Sequence, residues 1–348
     1  MSFFKPIVNA PLMGAGARPG KAARRKTDTR KALAEKTLIG GYRLERLIGR
    51  GSFSLVYSAS DRESRQKVIV KEYFPKHFAE RDAHNSILPG NESKQLLFHE
   101  GLRQFHSEAL TLRKIRHPNV LRTQNFFKAN HTAYLVAPNQ YGRDLKWFLG
   151  TIKKSLDAEL IYKVFLPALS ALNYLHGSGL LHLDIKPANI LLQPNGQPLL
   201  LDFGAAQSMS SSKRINKKQV LTHGFAPPEQ YDRKRPLGPW TDIYALAASL
   251  YFCVTCSLPE KSLGSDCASR LDEDAFGERY HPALLEAINC SLSIDETRRF
   301  ACIDDFAEAM LKGSPWSTLL EYEREVMRYD RNERATRESQ EELARYAA

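Results

Sequence analysis

Four polar residues surround one predicted hairpin near the middle of the chain. Asp184, Lys186 and Asn189 precede a short apolar strand, and Asp202 follows a second one. The turn at 194–196 contains Asn-Gly, which favours a tight β-hairpin, so the four side chains should be folded back to one place. The Asn189 amide and the Asp202 carboxylate offer the hard oxygen ligands that Mg²⁺ prefers. Asp184 can accept a proton from a hydroxyl and Lys186 can neutralise a phosphoryl group, which indicates metal-assisted phosphate chemistry.

A second group of residues that could bind phosphate lies earlier in the chain. Alternating apolar residues at 42–48 predict a strand, and Gly49 and Gly51 follow it directly. Glycines at a hairpin allow backbone N–H groups to approach phosphate oxygens closely. The β-branched strand that comes next ends in Lys71, and a lysine inside such a strand should have a function.

The elements that hold these groups change in character at residues 138–142. Strands are predicted before this break, at 126–127 and 134–137. A helix at 105–115 is also predicted, with Glu108 beside its apolar stripe. The segment from Lys71 to Gly101 is long for a connection, and we expect it to be an ordered insertion that packs on the same lobe. Helices are predicted after the break, at 144–149, 158–176, 243–258, 284–294 and 303–311.

The motif His-x-Asp-x-Lys-Pro-x-Asn at 182–189, followed by Asp-Phe-Gly at 202–204, resembles the catalytic and metal-binding loops of the eukaryotic-type protein kinases. The stretch from Thr222 to Glu229 resembles the end of a kinase activation segment. The Lys-Glu-Tyr-Phe-Pro run at 71–75 is similar to that of a bacterial branch of these kinases. The resemblance extends from about residue 42 to about residue 311, and the motifs occur in the family's order.

The resemblance implies an α+β fold with two lobes, a small β-rich N-lobe and a large helical C-lobe. We expect a basic disordered arm at 1–40 and a kinase domain at 41–313. Within this domain, the N-lobe covers 41–138 and the C-lobe 142–313. The charged remainder, 314–348, is expected to form a helix that packs back, docks a partner or is partly solvated.

The resemblance also implies roles for individual residues. The catalytic set is Asp184, Lys186, Lys71 and Glu108, with the last two forming an ion pair. Asn189 and Asp202 would hold Mg²⁺, with Mn²⁺ as an alternative. The residues expected to contact ATP are Gly49, Gly51, Ser52, Phe53, Val56, Ile69, Lys71, Ala137, Pro138, Gln140 and Leu191.

Three supporting contacts are expected in the helical lobe. Thr222 should contact the catalytic Asp184 and Lys186, and Glu229 should form a structural ion pair with Arg298. Asp242 should cap the helix at 243–258 and fix the backbone of the catalytic loop.

The chain departs from the family pattern at three positions. Ser54 replaces the third glycine of the Gly-rich loop, and Ile69 stands where the family usually has alanine. Leu183 replaces the arginine that usually precedes the catalytic aspartate, so a phosphate on the activation loop would lose its main partner. We therefore expect activity that does not depend strictly on activation-loop phosphorylation, although Ser208–Ser212 could still be autophosphorylated.

The expected function is transfer of the γ-phosphoryl group of Mg-ATP to Ser or Thr hydroxyls of protein substrates, as in a non-specific serine/threonine protein kinase. Lys186 resembles the Ser/Thr-specific branch. The alternative is a pseudokinase scaffold that binds partner proteins, but such a protein should lack one of the key residues Lys71, Asp184, Asn189 or Asp202, and all four are present.

Composition restricts the remaining possibilities. The chain has 348 residues and a net charge of +11, and its first forty residues carry nine Lys or Arg against two acidic residues, or +7. We favour a solvated leader for this arm over contact with nucleic acid, an acidic protein or a membrane surface. Five scattered cysteines and the absence of a transmembrane or secretory segment favour a cytoplasmic protein, with Cys253 and Cys256 in a buried helix.

Overall fold

The computed structural model describes residues 32–209, 221–232, 234–259 and 270–318. They form two compact units. The first contains the described residues up to Gly142, together with Gln193–Gly196, and the second contains the other described residues from Arg143 onward. The first unit is rich in strands and the second is mostly helical, which confirms the predicted fold class.

One antiparallel sheet of six strands forms the first unit, in the order β1-β2-β3-β4-β8-β7. Its strands are β1 (Leu38–Ile39), β2 (Tyr42–Arg50), β3 (Ser54–Asp61), β4 (Lys67–Tyr73), β7 (Asn125–Ala129) and β8 (Thr132–Pro138). Alternate side chains of β3 are buried, as the period of a strand requires. Lys71 lies on β4, the central strand that pairs with both β3 and β8.

The long segment after Lys71 is ordered, but the helix within it begins earlier than predicted. A hairpin of β5 (Ala79–Arg81) and β6 (Ile87–Pro89) is followed by helix α1 (Glu92–Lys114), not by a helix confined to 105–115. Asn91 caps α1 by accepting the N–H of Lys94 at 3.1 Å. The first half of α1 was missed because Leu96, Leu97 and Phe98 are consecutive, which gives no helical spacing, and the cap is its main sequence signal.

The disordered arm predicted for residues 1–40 is too long. Leu33 and Ile39 are buried, and β1 pairs with the start of β2 through Ile39 and Tyr42. The backbone N–H of Leu33 donates to the Tyr57 hydroxyl at 3.1 Å. Residues 33–39 are therefore part of the first unit, while residues 1–31 lie outside the described ranges.

The second unit is built from seven described helices, of which α3 and α5 supply most of the buried side chains. The helices are α2 (Leu145–Ile152), α3 (Ala158–Gly177), α4 (Pro228–Tyr231), α5 (Pro239–Thr255), α6 (Glu273–Phe276), α7 (Pro282–Ser291) and α8 (Ile303–Leu311). Five short strands accompany them: β9 (Arg143–Asp144), β10 (Leu180–Leu181), β11 (Ile190–Leu192), β12 (Pro198–Leu200) and β13 (Gln207–Ser208).

Two predictions for this unit need correction. Helix α5 spans Pro239–Thr255 instead of 243–258, because Pro239 provides a favourable first helical residue. Cys253 is fully buried in α5, whereas Cys256 is exposed at its left-handed C-cap with φ of 57°. The pair does not share one buried helical face.

Parts of two predicted segments lie outside the described residues. These are the helix at 314–348 from residue 319 onward and the activation-loop serines from residue 210 to 212. Trp316, which is described, stacks on Tyr162 of α3 with ring centroids 5.7 Å apart. Among the described helices, none combines the length and the apolar character needed to cross a membrane.

Candidate active site

The carboxylate of Asp184 is the centre of a compact polar cluster in the second unit. Lys186 Nζ lies 2.8 and 2.7 Å from its two oxygens. The Thr222 hydroxyl donates to Asp184 Oδ1 at 3.0 Å and lies 2.8 Å from Lys186 Nζ. Asn189 Nδ2 donates to Asp184 Oδ2 at 2.9 Å. All four side chains are thus brought together, as expected for the catalytic loop and Thr222.

The predicted hairpin is confirmed and joins Asn189 to the segment of Asp202. Strands β11 and β12 pair in an antiparallel register, and the N–H of Leu201 donates to the carbonyl of Asn189 at 2.9 Å. Asp202 therefore comes directly after Leu201, the residue whose backbone is hydrogen-bonded to Asn189. Because Asn189 uses Nδ2 for Asp184, its Oδ1 is the atom left to act as a metal ligand.

Leu183 has a backbone conformation that is rare for a residue with a side chain. Its φ is 63°, in the left-handed region, and its side chain is buried. Three hydrogen bonds hold this loop: Asp242 accepts the N–H groups of His182 and Leu183 at 2.8 and 2.7 Å, and Gln230 Nε2 donates to the Leu183 carbonyl at 2.8 Å. These contacts offset a conformational cost of roughly 1–2 kcal/mol.

Asp242 fixes the loop that carries Asp184, as predicted, but it does not cap α5. The N-cap is Gly238, whose N–H donates to the Thr241 hydroxyl at 3.2 Å, and Asp242 lies within the first turn. Burial raises the pKa of the Asp242 carboxyl, but the hydrogen bond and charge of His176 outweigh it, together with contributions from His182. The pKa is lowered overall. Asp242 therefore remains an anion that can hold two backbone N–H groups.

The structural ion pair of Glu229 is formed with Arg299, not with Arg298. Arg299 Nη1 and Nη2 donate to the two Glu229 oxygens at 2.7 and 3.1 Å, and both side chains are fully buried. The Arg298 side chain is 64% exposed and lies near Asp295. The two arginines are adjacent, and the 3₁₀ turn Glu296–Arg298 directs only the second one inward.

In the first unit, the Gly-rich loop lies between β2 and β3. The N–H of Gly51 donates to the Ser54 carbonyl at 2.8 Å, which closes the turn. The carbonyls of Ser52 and Phe53 accept the N–H groups of Lys76 and Phe74 at 3.3 and 2.8 Å. The loop tip is therefore tied by its backbone to the segment that follows β4, and the replacement of a glycine by Ser54 does not prevent the loop from closing.

Lys71 and Glu108 lie close together in the first unit. Lys71 Nζ is 3.7 Å from Glu108 Oε1, and the two side chains are mostly buried. The lysine comes from the centre of the sheet and the glutamate from α1, whose apolar face packs through Phe105, Ala109 and Leu112. This contact requires α1 to lie against the sheet, since Glu108 reaches Lys71 from the helix.

The other residues expected to contact ATP occupy well-defined positions on the strands. Val56 lies opposite Lys71 in the β3–β4 register, and Ile69 lies opposite Ala137 in the β4–β8 register. Ala137 is buried, and β8 ends at Pro138. Gln140 Oε1 accepts from Gln193 Nε2 at 2.9 Å. In the second unit, Leu191 is half-buried on β11 opposite Leu199 and Asp144.

Sequence reasoning missed several polar residues that support these groups. Gln230 donates to the Leu183 carbonyl of the loop that carries Asp184, and His176 is hydrogen-bonded to Asp242, which holds the same loop. Glu72 and Arg81 form a buried ion pair beside Lys71. Glu72 had a usable signal, because an acidic residue in the run Val-Ile-Val-Lys-Glu-Tyr-Phe is unlikely to be solvated. Its partner Arg81 lies in a polar segment and had no such signal.

Comparison with known proteins agrees with this geometry. The family model described as "Protein kinase domain" matches residues 42–312. Serine/threonine-protein kinase D of Synechocystis sp. is 25% identical over 284 residues, which cover 78% of this chain and 52% of that protein. Serine/threonine-protein kinase PknD of Chlamydia pneumoniae is 28% identical over 315 residues, covering 80% of this chain and 32% of that protein. The chain thus spans about half the length of these relatives or less.

A solved structure described as "PpkA-294 apo form" matches with a TM-score of 0.71 and 33% sequence identity. The match covers 80% of this chain and 99% of that chain.

Proposed function

The chain belongs to the protein kinase family, and from that membership we propose that it transfers the γ-phosphoryl group of ATP to Ser and Thr hydroxyls of protein substrates. The observation that carries the proposal is the hydrogen-bonded set around Asp184. A carboxylate that contacts Lys186, Asn189 and Thr222 is fixed in orientation before any substrate arrives. Positioning of this kind supplies most of the catalysis in phosphoryl transfer.

Each side chain of the set has a separate task in this proposal. Asp184 accepts the proton of the attacking hydroxyl, or orients that hydroxyl, and Lys186 contributes positive charge next to the transferred group. Thr222 fixes both by its hydrogen bonds to them. In the first unit, Lys71 pairs with the α- and β-phosphates, while Glu108 holds the lysine in position.

Asn189 and Asp202 would hold Mg²⁺, which neutralises phosphate charge when bound. The residues fit a magnesium ion, because both offer oxygen atoms and Asn189 directs its nitrogen elsewhere. The remaining ligands would come from phosphate oxygens and water, as is usual for Mg²⁺ at nucleotide sites.

The acceptor class can be tested with a mixture of peptides in which Ser, Thr or Tyr is the only hydroxyl residue. We expect phosphate on the Ser and Thr peptides after incubation with Mg-ATP, measured by mass spectrometry. Asp184→Asn should reduce the rate by about 100-fold or more, because a general base typically contributes that much. Phosphate on the Tyr peptides alone would contradict the proposed acceptor class.

Activity that does not require activation-loop phosphorylation is part of the proposal. Leu183 is apolar and buried, so it offers no positive charge to a phosphate on the loop. Alanine at Ser208, Ser210, Ser211 and Ser212 together should leave most of the peptide-phosphorylation rate intact. Loss of activity in a variant with an unchanged melting temperature would show instead that loop phosphorylation is required.

Two further expectations remain proposals. For the basic arm, which lies outside the described residues up to position 31, a solvated leader is favoured and contact with an acidic partner is the alternative. Only under the alternative should deletion of residues 1–31 weaken salt-dependent binding to a polyanion. A cytoplasmic location is supported by the unpaired state of the four described cysteines.

A further inference from the structure

Glu72 follows Lys71 on β4, and its side chain has no exposed surface. Its carboxylate accepts three hydrogen bonds: the Tyr134 hydroxyl to Oε1 at 2.6 Å, and the Tyr57 hydroxyl and Arg81 Nη2 to Oε2 at 2.9 and 2.6 Å. Burial of a carboxylate costs several kcal/mol unless its oxygens are paired. Three hydrogen-bond donors therefore satisfy the buried carboxylate of Glu72, a residue that has no role in the proposed reaction.

The three donors come from different segments, and each is held by another hydrogen bond. The additional bonds join Leu33 N–H to Tyr57 Oη at 3.1 Å, Asn130 Nδ2 to Tyr134 Oη at 3.0 Å, and Arg81 Nη1 to the Asn85 carbonyl at 3.0 Å. Glu72 thus connects the N-terminal segment 33–39, the β5–β6 hairpin and the β7–β8 turn to the strand that carries Lys71.

Lys71 and Glu72 point to opposite faces of β4, because side chains alternate along a strand. On one face, Lys71 meets Glu108 of α1. On the other face, Glu72 lies opposite Tyr134 in the β4–β8 register and accepts its hydroxyl. Two consecutive residues are thus held from both sides, so a rotation of β4 that moved one of these contacts would strain the other.

The three donors to Glu72 keep their protons over a wide pH range. Burial, aided by the charge of Glu72, raises the pKa of the Tyr57 and Tyr134 hydroxyls, so both remain donors. Burial lowers the pKa of Arg81, but its contacts with Glu72 outweigh this and raise it overall. All three donors therefore remain available to the Glu72 carboxylate.

We propose that Glu72 and Arg81 are positioning residues that set the orientation of Lys71 toward the nucleotide. This inference rests on the proposed function, in which Lys71 binds the phosphates of ATP. Both side chains are buried, with 5% or less of their surface exposed, so neither is proposed to contact the substrate. Their effect is exerted through β4, whose position they fix relative to the hairpin and the N-terminal segment.

The test compares Arg81→Met with the double variant Glu72→Gln, Arg81→Met in the full-length chain. The single variant leaves a buried carboxylate without its cation, so it should lower both the melting temperature and the affinity for Mg-ATP. The double variant removes both charges and should recover most of the melting temperature. We expect its Kd for Mg-ATP, measured by calorimetry, to remain raised by ~10-fold, or about 1.4 kcal/mol.

Tyr280→Phe is the matched control, because it removes a buried tyrosine hydrogen bond, to the Leu156 carbonyl, in the second unit. It should lower the melting temperature without changing the Kd for Mg-ATP. Arg81→Lys, which keeps the charge, should recover part of the affinity that Arg81→Met loses. If neither charge variant folds, Tyr57→Phe removes one donor only and should raise the Kd by ~2- to 3-fold, from the loss of one hydrogen bond.

A double variant that binds Mg-ATP with the wild-type Kd would overturn the inference, whatever its melting temperature, since the pair would then not affect nucleotide binding. The proposed function is tested separately, because binding of Mg-ATP and transfer of its phosphoryl group are measured independently. A wild-type chain that binds Mg-ATP but transfers no phosphate would refute the kinase activity, while the Kd comparison would still decide the role of Glu72.

Discussion

At the scale of single residues, the most consequential contacts are the hydrogen bonds made to three carboxyl groups. Asp184, Asp242 and Glu229 each accept several hydrogen bonds, and each has one defined task. Asp184 faces the proposed reaction, Asp242 holds the loop that carries it, and Glu229 anchors the segment that follows Thr222. Removal of a donor should therefore have different effects at each position.

The ion pair of Glu229 with Arg299 gives a sharp prediction about stability. Arg299→Ala leaves Glu229 fully buried without its cation, which should lower the free energy of unfolding by about 3–5 kcal/mol. Arg298→Ala, at the adjacent exposed arginine, is the matched control and should change it by no more than ~0.5 kcal/mol. Urea denaturation measures both, and equal losses for the two variants would contradict the assignment.

The prediction paired Glu229 with Arg298 instead of Arg299, and this error shows a limit of predicting single contacts from the sequence. Residue types and motif order were sufficient to bring Asp184, Lys186, Asn189 and Thr222 together and to pair Lys71 with an acidic residue on the following helix. The choice between neighbouring arginines depends on the phase of a 3₁₀ turn, which residue types do not specify. Asp242 was misassigned as a cap for a similar reason, since the position of Pro239 moves the helix start by four residues.

At the scale of elements, α1 is the part that sequence periodicity described least well. Its second half has a clear apolar stripe and carries Glu108, whereas its first half exposes Leu96 and Leu97. The whole helix is held against the sheet by Tyr73, which packs on Phe98 and Phe105 with ring centroids 5.6 and 5.7 Å away. Tertiary packing thus stabilises a segment whose pattern alone is weak.

The N-cap of α1 can be tested separately from this packing. Asn91→Ala removes the acceptor for the Lys94 N–H and should reduce stability by ~1 kcal/mol, as is typical for a lost cap. Asn91→Ser should retain nearly all of the wild-type stability, because a serine hydroxyl can also accept the Lys94 N–H. Thermal unfolding of the two variants measures this. If Ser were as damaging as Ala, the helix would not begin at a side-chain cap.

At the scale of the whole molecule, the first unit extends further toward the N-terminus than the family resemblance indicated. The matched family region begins at residue 42, yet Leu33 and Ile39 are buried before it. Sequence composition could not reveal this, because the basic residues of the arm continue to Lys36 and obscure the two apolar positions. The fold class, by contrast, was predictable from the family resemblance, with which the change from strands to helices at residues 138–142 agrees.

Stepwise N-terminal deletion should locate this boundary. A variant that begins at Gly41 loses the burial of Leu33 and Ile39, and should be about 3 kcal/mol or more less stable than a variant that begins at Ala32. The comparison of the two melting curves isolates residues 32–40 from the arm before them. Identical curves would contradict the packing of this segment on the sheet.

The central claim, that this chain is an active kinase whose reaction depends on Asp184, is tested most directly by intact-protein mass spectrometry. The wild type and Asp184→Asn are each incubated with Mg-ATP and a generic Ser- and Thr-containing protein, after calorimetry has shown that both bind Mg-ATP. We expect phosphate on protein with the wild type and a rate lower by about 100-fold or more with the variant. Equal phosphate with both proteins, or none with a wild type that binds Mg-ATP, would contradict the account.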